Sequence, residues 1–240
     1  MYQRLDCIAL KMVRHTDRHS ILSAYSKQQG RLSLLVPAGN GREAARRRAL
    51  LMPGSRFSCI ADIKNGDIIP PMRDVMRRGT PAADSDPVKV AVILFLVDFI
   101  NTLMKDSMPD ELTFNYIDSM FEFYTTARRG IANFHLLFLI RLMHFAGIEP
   151  DASTYRRGYV FDMIDGVFRE SAPLHGHFLE PRYTCHTAIL MRMNKRNMHL
   201  WQLSSVERNM ILDRLIEYYS LHFSSLKSMK SIDILRSLFI

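Results

Sequence analysis

The hydrophobic period of this chain changes once. The change falls at a run of small and polar residues, Arg78-Gly79-Thr80-Pro81-Ala82-Ala83-Asp84-Ser85-Asp86-Pro87. Before it, apolar residues alternate in short stretches, the pattern of half-buried strands; after it, they recur every three or four positions, the pattern of helices. A chain read this way needs two kinds of core, a sheet first and helices second.

The strand-like part is punctuated by turn chemistry. Leu5 to Val13 alternates loosely, Ser20 to Tyr25 is rich in β-formers, and Arg31 to Val36 follows a turn at Gln29-Gly30. Gly39-Asn40-Gly41 reads as a loop, and Arg42 to Met52 has good helix propensity up to Pro53-Gly54. Arg56 to Ile63 alternates again, with Phe57, Cys59, Ala61 and Ile63 on one face. Asn65-Gly66 is a hairpin signal leading into Asp67 to Ile69. Five strands, tight turns and one helical excursion predict a small closed β-barrel of the OB type over 1–80.

Beyond a linker at 81–87, residues 88–240 are expected to form an all-α helical domain, giving an α+β protein in two parts. Asp86 is the expected N-cap, with Pro87 at the first helical position. Val88 to Lys105 is apolar nearly all round, a central buried helix. Pro109 opens a second helix running to about Arg129, and Ile131 to Ala146 forms a third, stopped by Gly147. The segment 151–201 shows no clear period and reads as irregular. Ser204-Ser205-Val206-Glu207 is a capping box for a last long helix, with core positions at Ile211, Leu215, Tyr218 and His222.

Charge follows the same division. Residues 1–80 hold 15 of the 32 Lys and Arg but 6 of the 24 Asp and Glu, a net of +9, and the other 160 residues a net of −1, which together make the net +8. A localised basic field suits a polyanion, because neutralising phosphates releases condensed counterions; the plainer alternative is a solvated surface. Four arginines in seven positions, Arg42, Arg46, Arg47 and Arg48, are its densest part, opposed only by Glu43. They cannot share one face of a short helix, and arginine forks suit phosphate oxygens. Lys11, Arg14, Arg18, Lys27 and Arg31 add charge on neighbouring strands and turns. Aromatic residues are few before residue 80. Tyr25 and Phe57 sit at core-like strand positions, so binding by charge without sequence preference is expected.

Other chemistry is thin. His175, His177, Cys185 and His186 fall within twelve residues, but their spacing fits no common zinc pattern, and solvated loop histidines are the simpler account. His135 and His144 read as interior or boundary residues. No G-x-S-x-G, G-x-x-x-x-G-K-[ST] or H-E-x-x-H occurs, so no catalytic residue, metal, cofactor or small-molecule substrate is expected. The three cysteines are odd in number and widely spaced, which points to a reducing compartment. The N-terminus does not read as a signal peptide, and no apolar run approaches the roughly 20 residues that span a bilayer. Fifteen methionines suggest a plastic core or a pocket for a partner peptide, with Lys195, Arg196, Lys227 and Lys230 as candidate rim residues.

Several stretches resemble the RecO family of recombination mediators. His15-Thr16-Asp17-Arg18-His19-Ser20-Ile21-Leu22, the step from Ser26 to Gly30-Arg31, and the arginine-rich loop after it are similar to the family's N-terminal OB domain. Phe138 to Ile148 resembles its central helix and Gly turn, and Leu212 to Leu238 its closing helix. The resemblance implies a non-enzymatic cytoplasmic protein of the bacterial nucleoid that binds single- and double-stranded DNA and anneals complementary strands. It also implies partnership with RecR and loading of the recombinase onto strands coated by single-strand-binding protein. Its DNA face would include Arg14, Arg18, Arg31, Arg42 and Arg46 to Arg48. A four-cysteine zinc insertion common in relatives is missing after Gly147, so 151–201 must hold together by packing alone. The alternative is an adaptor joining RecR to single-strand-binding protein, with incidental DNA affinity; an RNA-binding barrel is a third reading.

Overall fold

The computed structural model describes residues 2–63, 69–80, 86–105, 107–127 and 130–228, without the side chains of 227 and 228. The expected hairpin turn at Asn65-Gly66, most of the 81–87 linker and Lys230 lie outside the described residues. The described chain divides into two compact units, 2–126 and 127–228.

The first unit is built on a five-stranded antiparallel sheet: β1 (Tyr2–Arg14), β2 (His19–Ser26), β3 (Gly30–Pro37), β4 (Arg56–Asp62) and β5 (Met72–Arg77), in the order β3-β2-β1-β4-β5. The alternation expected from sequence sets the inner face. Leu5, Cys7 and Ala9 of β1 pack with Leu22, Ala24, Leu34, Val36, Phe57, Cys59, Ala61 and Met72. The expected closure into a barrel does not form. The sheet is open, and its edges β3 and β5 meet through one bridge between Leu35 and Pro71 and one hydrogen bond from the Leu35 N–H to the Pro70 carbonyl, 2.9 Å. Pro70 and Pro71 have no N–H to extend that contact into a ladder, and β5 begins just after them at Met72; the expected strand start at Asp67 lies outside the described residues.

Helix α1 (Arg42–Leu50) interrupts the sheet between β3 and β4; helices α2 (Pro87–Leu103) and α3 (Glu111–Thr126) follow β5 in the same unit. The expected cap of α2 is present: the Asp86 carboxylate accepts from the Val88 and Lys89 N–H groups, with Pro87 in the first turn. Asp110 caps α3 in the same way, accepting from Leu112 and Thr113. These helices cover the middle of the sheet's outer face, so the outward-pointing Ile8 and Tyr25 are buried, Tyr25 with its ring centroid 6.1 Å from that of Phe114. Arg56, also outward and 7% exposed, pairs with Asp118 and Glu122 of α3. Gly30 at φ +65° opens β3 where the turn meets the α2–α3 connection; a Cβ there would lie 2.6 Å from the Ser107 carbonyl oxygen.

The second unit centres on α4 (Phe134–Phe145), apolar on nearly every face and buried from Phe134 to Ile140. It ends at Gly147 in the left-handed conformation, as expected, with the Ile148 N–H returning to the Met143 carbonyl. Helix α6 (Ser205–His222) carries the expected capping box, and its Ile211, Leu215 and Tyr218 are buried. The segment 151–201 departs from the all-α expectation. It forms β6 (Val160–Asp162), β7 (Val167–Arg169) and β8 (Phe178–Leu179), a small sheet of order β7-β6-β8, and then α5 (Pro181–Arg192). Strands of two or three residues are too short for a period to register. No helix among the described residues is long and apolar enough to cross a membrane.

Candidate nucleic-acid interface

Helix α1 has no buried residue, and its N-cap, Gly41, has no side chain to satisfy the first N–H groups. Glu43 in the first turn and Arg47 and Arg48 in the last complement the helix dipole. The helix is held to the sheet by Leu51, buried just past its end, and by two guanidinium contacts to backbone carbonyls. Arg47 donates to Pro37 O at 3.2 Å and Arg48 to Gly39 O at 2.6 Å. These bonds leave each fork further donors and fix both side chains beside the loop 38–41.

An open groove of about 270 Å³ results, walled by α1, the loop 38–41 and the ends of β1, β2 and β3. Arg14 from β1 and Arg47 and Arg48 from α1 line it, with Asp17 and Ser20. Arg14 is held by Asp17 at 2.8 Å, an exposed pair that a phosphate can displace at little cost. The Thr16 hydroxyl accepts from the Arg18 and His19 N–H groups, and the Ala38 N–H donates to Arg18 O at 2.7 Å, so the wall is tied together. Arg42 and Arg46 project from α1 into solvent, and Arg18 and Lys11 are exposed nearby on the turn and on β1. None of these four is ion-paired with a described residue.

The nine basic residues expected at the site do not all meet. Lys27 is bound to Glu111 of α3 at 2.8 Å, and that pairing holds the Glu111 carboxyl below its usual range. Arg31 is half-buried and turned toward α2, 3.5 Å from Asn101 Oδ1 and 3.4 Å from Ser23 Oγ. These partners are not legible in the sequence, since Glu111 lies 84 positions from Lys27 and Asn101 lies 70 from Arg31. The carbonyls of Pro37 and Gly39, which aim the two groove arginines, were equally invisible, since any residue supplies a backbone acceptor.

The second unit contains an apolar cleft lined by Ile140, Met143, Phe161, Met210 and Leu215, with Arg214 and His186 among its polar residues. Lys195 and Arg196, expected at its rim, lie in the turn after α5 and do not line it; Arg214, on α6, was not anticipated. Lys227 and Lys230 lie where no side chain is described. The histidine cluster is dispersed. His175 Nε2 is 3.3 Å from Asp162, its ring 6.3 Å from that of His177, and the exposed Cys185 Sγ lies 3.8 Å from Nδ1 of its neighbour His186 and 3.4 Å from the Arg182 carbonyl oxygen. Among the described residues no group of three or more His, Cys, Asp or Glu could hold a metal ion.

No protein-family model matches the chain. Curated relatives named DNA repair protein RecO do match it along its length. That of Phocaeicola vulgatus is 32% identical and that of Bacteroides fragilis 30%, each over the whole of both chains. That of Porphyromonas gingivalis is 29% identical over 97% of each. The chain belongs to the RecO family. In this member of the RecO family, the arginine-rich loop singled out in the sequence is the wall of a built groove.

Proposed function

We propose that this RecO-family chain acts in DNA repair as a non-enzymatic recombination mediator. It binds single- and double-stranded DNA through the α1 groove, anneals complementary strands, and, with RecR, helps load the recombinase onto strands coated by single-strand-binding protein. The observation that carries this reading is the groove itself, with Arg14, Arg47 and Arg48 fixed on its walls and Arg42 and Arg46 free in front of it. Fixed guanidiniums bind backbone phosphates with little ordering cost, and mobile ones extend the field toward a second strand. Neutralised phosphates repel one another less, so two strands can approach and pair. Contacts to phosphate carry no base information, which fits annealing of any sequence.

The test is annealing of two complementary oligonucleotides, one coated with single-strand-binding protein, at low and moderate salt. Replacing Arg42, Arg46, Arg47 and Arg48 with Ala should slow annealing. It should also flatten the salt dependence of duplex binding by up to about 0.9 log units per lost phosphate contact. An unchanged salt slope would sink the groove assignment.

The apolar cleft favours a second reading, the adaptor between RecR and single-strand-binding protein. A cleft lined by methionines, with Arg214 beside it, suits an apolar peptide ending in acidic groups. On that reading the arginine variant still supports recombinase loading, whereas Met210→Glu in the cleft abolishes it.

A further inference from the structure

The outer face of the five-stranded sheet is covered unevenly. Helices α2 and α3 seal its middle, over Ile8 and Tyr25, but the end where β1 begins is open. Tyr2 is 58% exposed there and Arg4 is exposed beside it. The register places Arg4 opposite Ile60 of β4 and Ile60 opposite Arg73 of β5, so the three form one row across three strands. Two strand spacings separate the arginines, about 10 Å. Arg73 leans back over the Tyr2 ring, 5.6 Å from its centroid.

A bulge extends this surface. Arg73 and Met76 are three positions apart, and a regular strand would send them to opposite faces. Here Arg73 pairs with Ile60 and Met76 with Ser58, so β5 holds one residue more than β4 between the two pairs. Asp74 takes up the extra length at φ +50°, a conformation uncommon outside glycine. The bulge thus turns Met76, 61% exposed, to the same side as Arg73, Arg4 and Tyr2. Bulges that re-aim side chains recur beside functional sites. Arg77, opposite the inward-facing Phe57, projects from the other side of the sheet. Arg4 and Arg73 have no ion pair with a described residue, and the exposed Asp74 pairs with neither.

We propose that this face is a second nucleic-acid surface. It takes a single strand with bases against Tyr2 and Met76 and phosphates against Arg4 and Arg73. Flat aromatic groups stack on any base, and charges with no acidic partner are left for phosphate. The proposal rests on the nucleic-acid reading of the α1 groove and extends it. Tyr2 and Arg14 are the two ends of the 13-residue β1, so the surfaces lie up to about 40 Å apart along the strand. One molecule then holds one strand at each end.

The experiment uses the full chain and a labelled single-stranded oligothymidine, followed by fluorescence anisotropy across a salt series. Arg4→Ala with Arg73→Ala should reduce the salt slope by up to about 1.4 log units, at about 0.7 per single-strand phosphate contact. Tyr2→Ala should weaken binding about fivefold while leaving the slope unchanged. All three side chains are at the surface, and unchanged thermal melting establishes that the variants fold. The four-arginine groove variant serves as the internal reference. If that variant loses affinity while the sheet-face variants bind like the parent, the second surface does not exist and the groove reading stands. If neither set changes binding, the nucleic-acid reading of both surfaces falls.

Discussion

His135 sits on α4 between Phe134 and Leu136, with none of its surface exposed. Burial, reinforced by the charge of Arg208, pushes its imidazole down to about 3. In the unfolded chain the same ring protonates near pH 6.5. Between those values the unfolded state binds one more proton than the folded state, so stability rises with pH across that window and is lost on acidification. The slope for one such group is roughly 1.4 kcal/mol per pH unit. His135→Leu keeps the apolar surroundings and removes the proton. Denaturant titrations at pH 7 and pH 5 should therefore show a smaller acid loss in the variant than in the parent, by about 2 kcal/mol. Equal losses in both would mean that His135 is already charged in the fold. His144 is a contrasting case: nine residues on, it lies on the opposite face of α4, exposed and 2.6 Å from Glu149, so the face of the helix decides how each ring is used.

Among the elements, the small sheet β6-β7-β8 depends most on a single side chain. Asp162, 1% exposed, accepts from the Ile164 and Asp165 N–H groups at 3.0 and 3.2 Å and from Arg169 Nε at 3.0 Å, with His175 at 3.3 Å. Burial opposes its charge, but these donors outweigh it and hold the carboxyl below its usual range. This segment is organised by one carboxylate, which closes the β6–β7 turn and ties β7 and the 175 loop to it. Asp162→Ala should destabilise the protein by about 3 kcal/mol, since it leaves Arg169 and His175 facing a buried gap. DNA binding at 10 °C below the new melting point should survive if the two units are energetically separable; thermal melting and anisotropy read both. This element also marks the limit of sequence reading. The caps at Asp86 and Ser204, the Gly147 stop and the inner face of β4 were legible because each depends on neighbours within four positions. Strands of two or three residues organised by one aspartate carry no period, and the Pro70-Pro71 break in the sheet edge is a tertiary event. In the groove, the arginines were legible as a cluster, but which of them point inward depends on carbonyls that any sequence supplies. Arg4, Arg73 and Met76 were overlooked because they are dispersed along the chain and are brought to one face only by β-sheet register and a bulge.

Across the whole molecule, charge and fold divide labour in the same place. The sheet-bearing unit contains both basic surfaces, and the unit 127–228 contains the apolar cleft. Two strand sites on one molecule have a consequence that one site does not. At low protein concentration each molecule can bind two strands and bring them together. In excess, every strand is bound by its own molecule at both ends, and bridging is lost. Annealing should therefore rise with protein, pass through a maximum near the point where strand sites are half filled, and fall again. Removing the sheet-face arginines should abolish the fall at high protein, because a one-site molecule can shield strands but cannot sequester both partners separately. Raising the salt should shift the maximum to higher protein in the parent, since both sites bind through phosphate. A rate that climbs to a plateau, with no maximum at any salt, would show that one surface does all the strand binding and that the strands meet without being bridged.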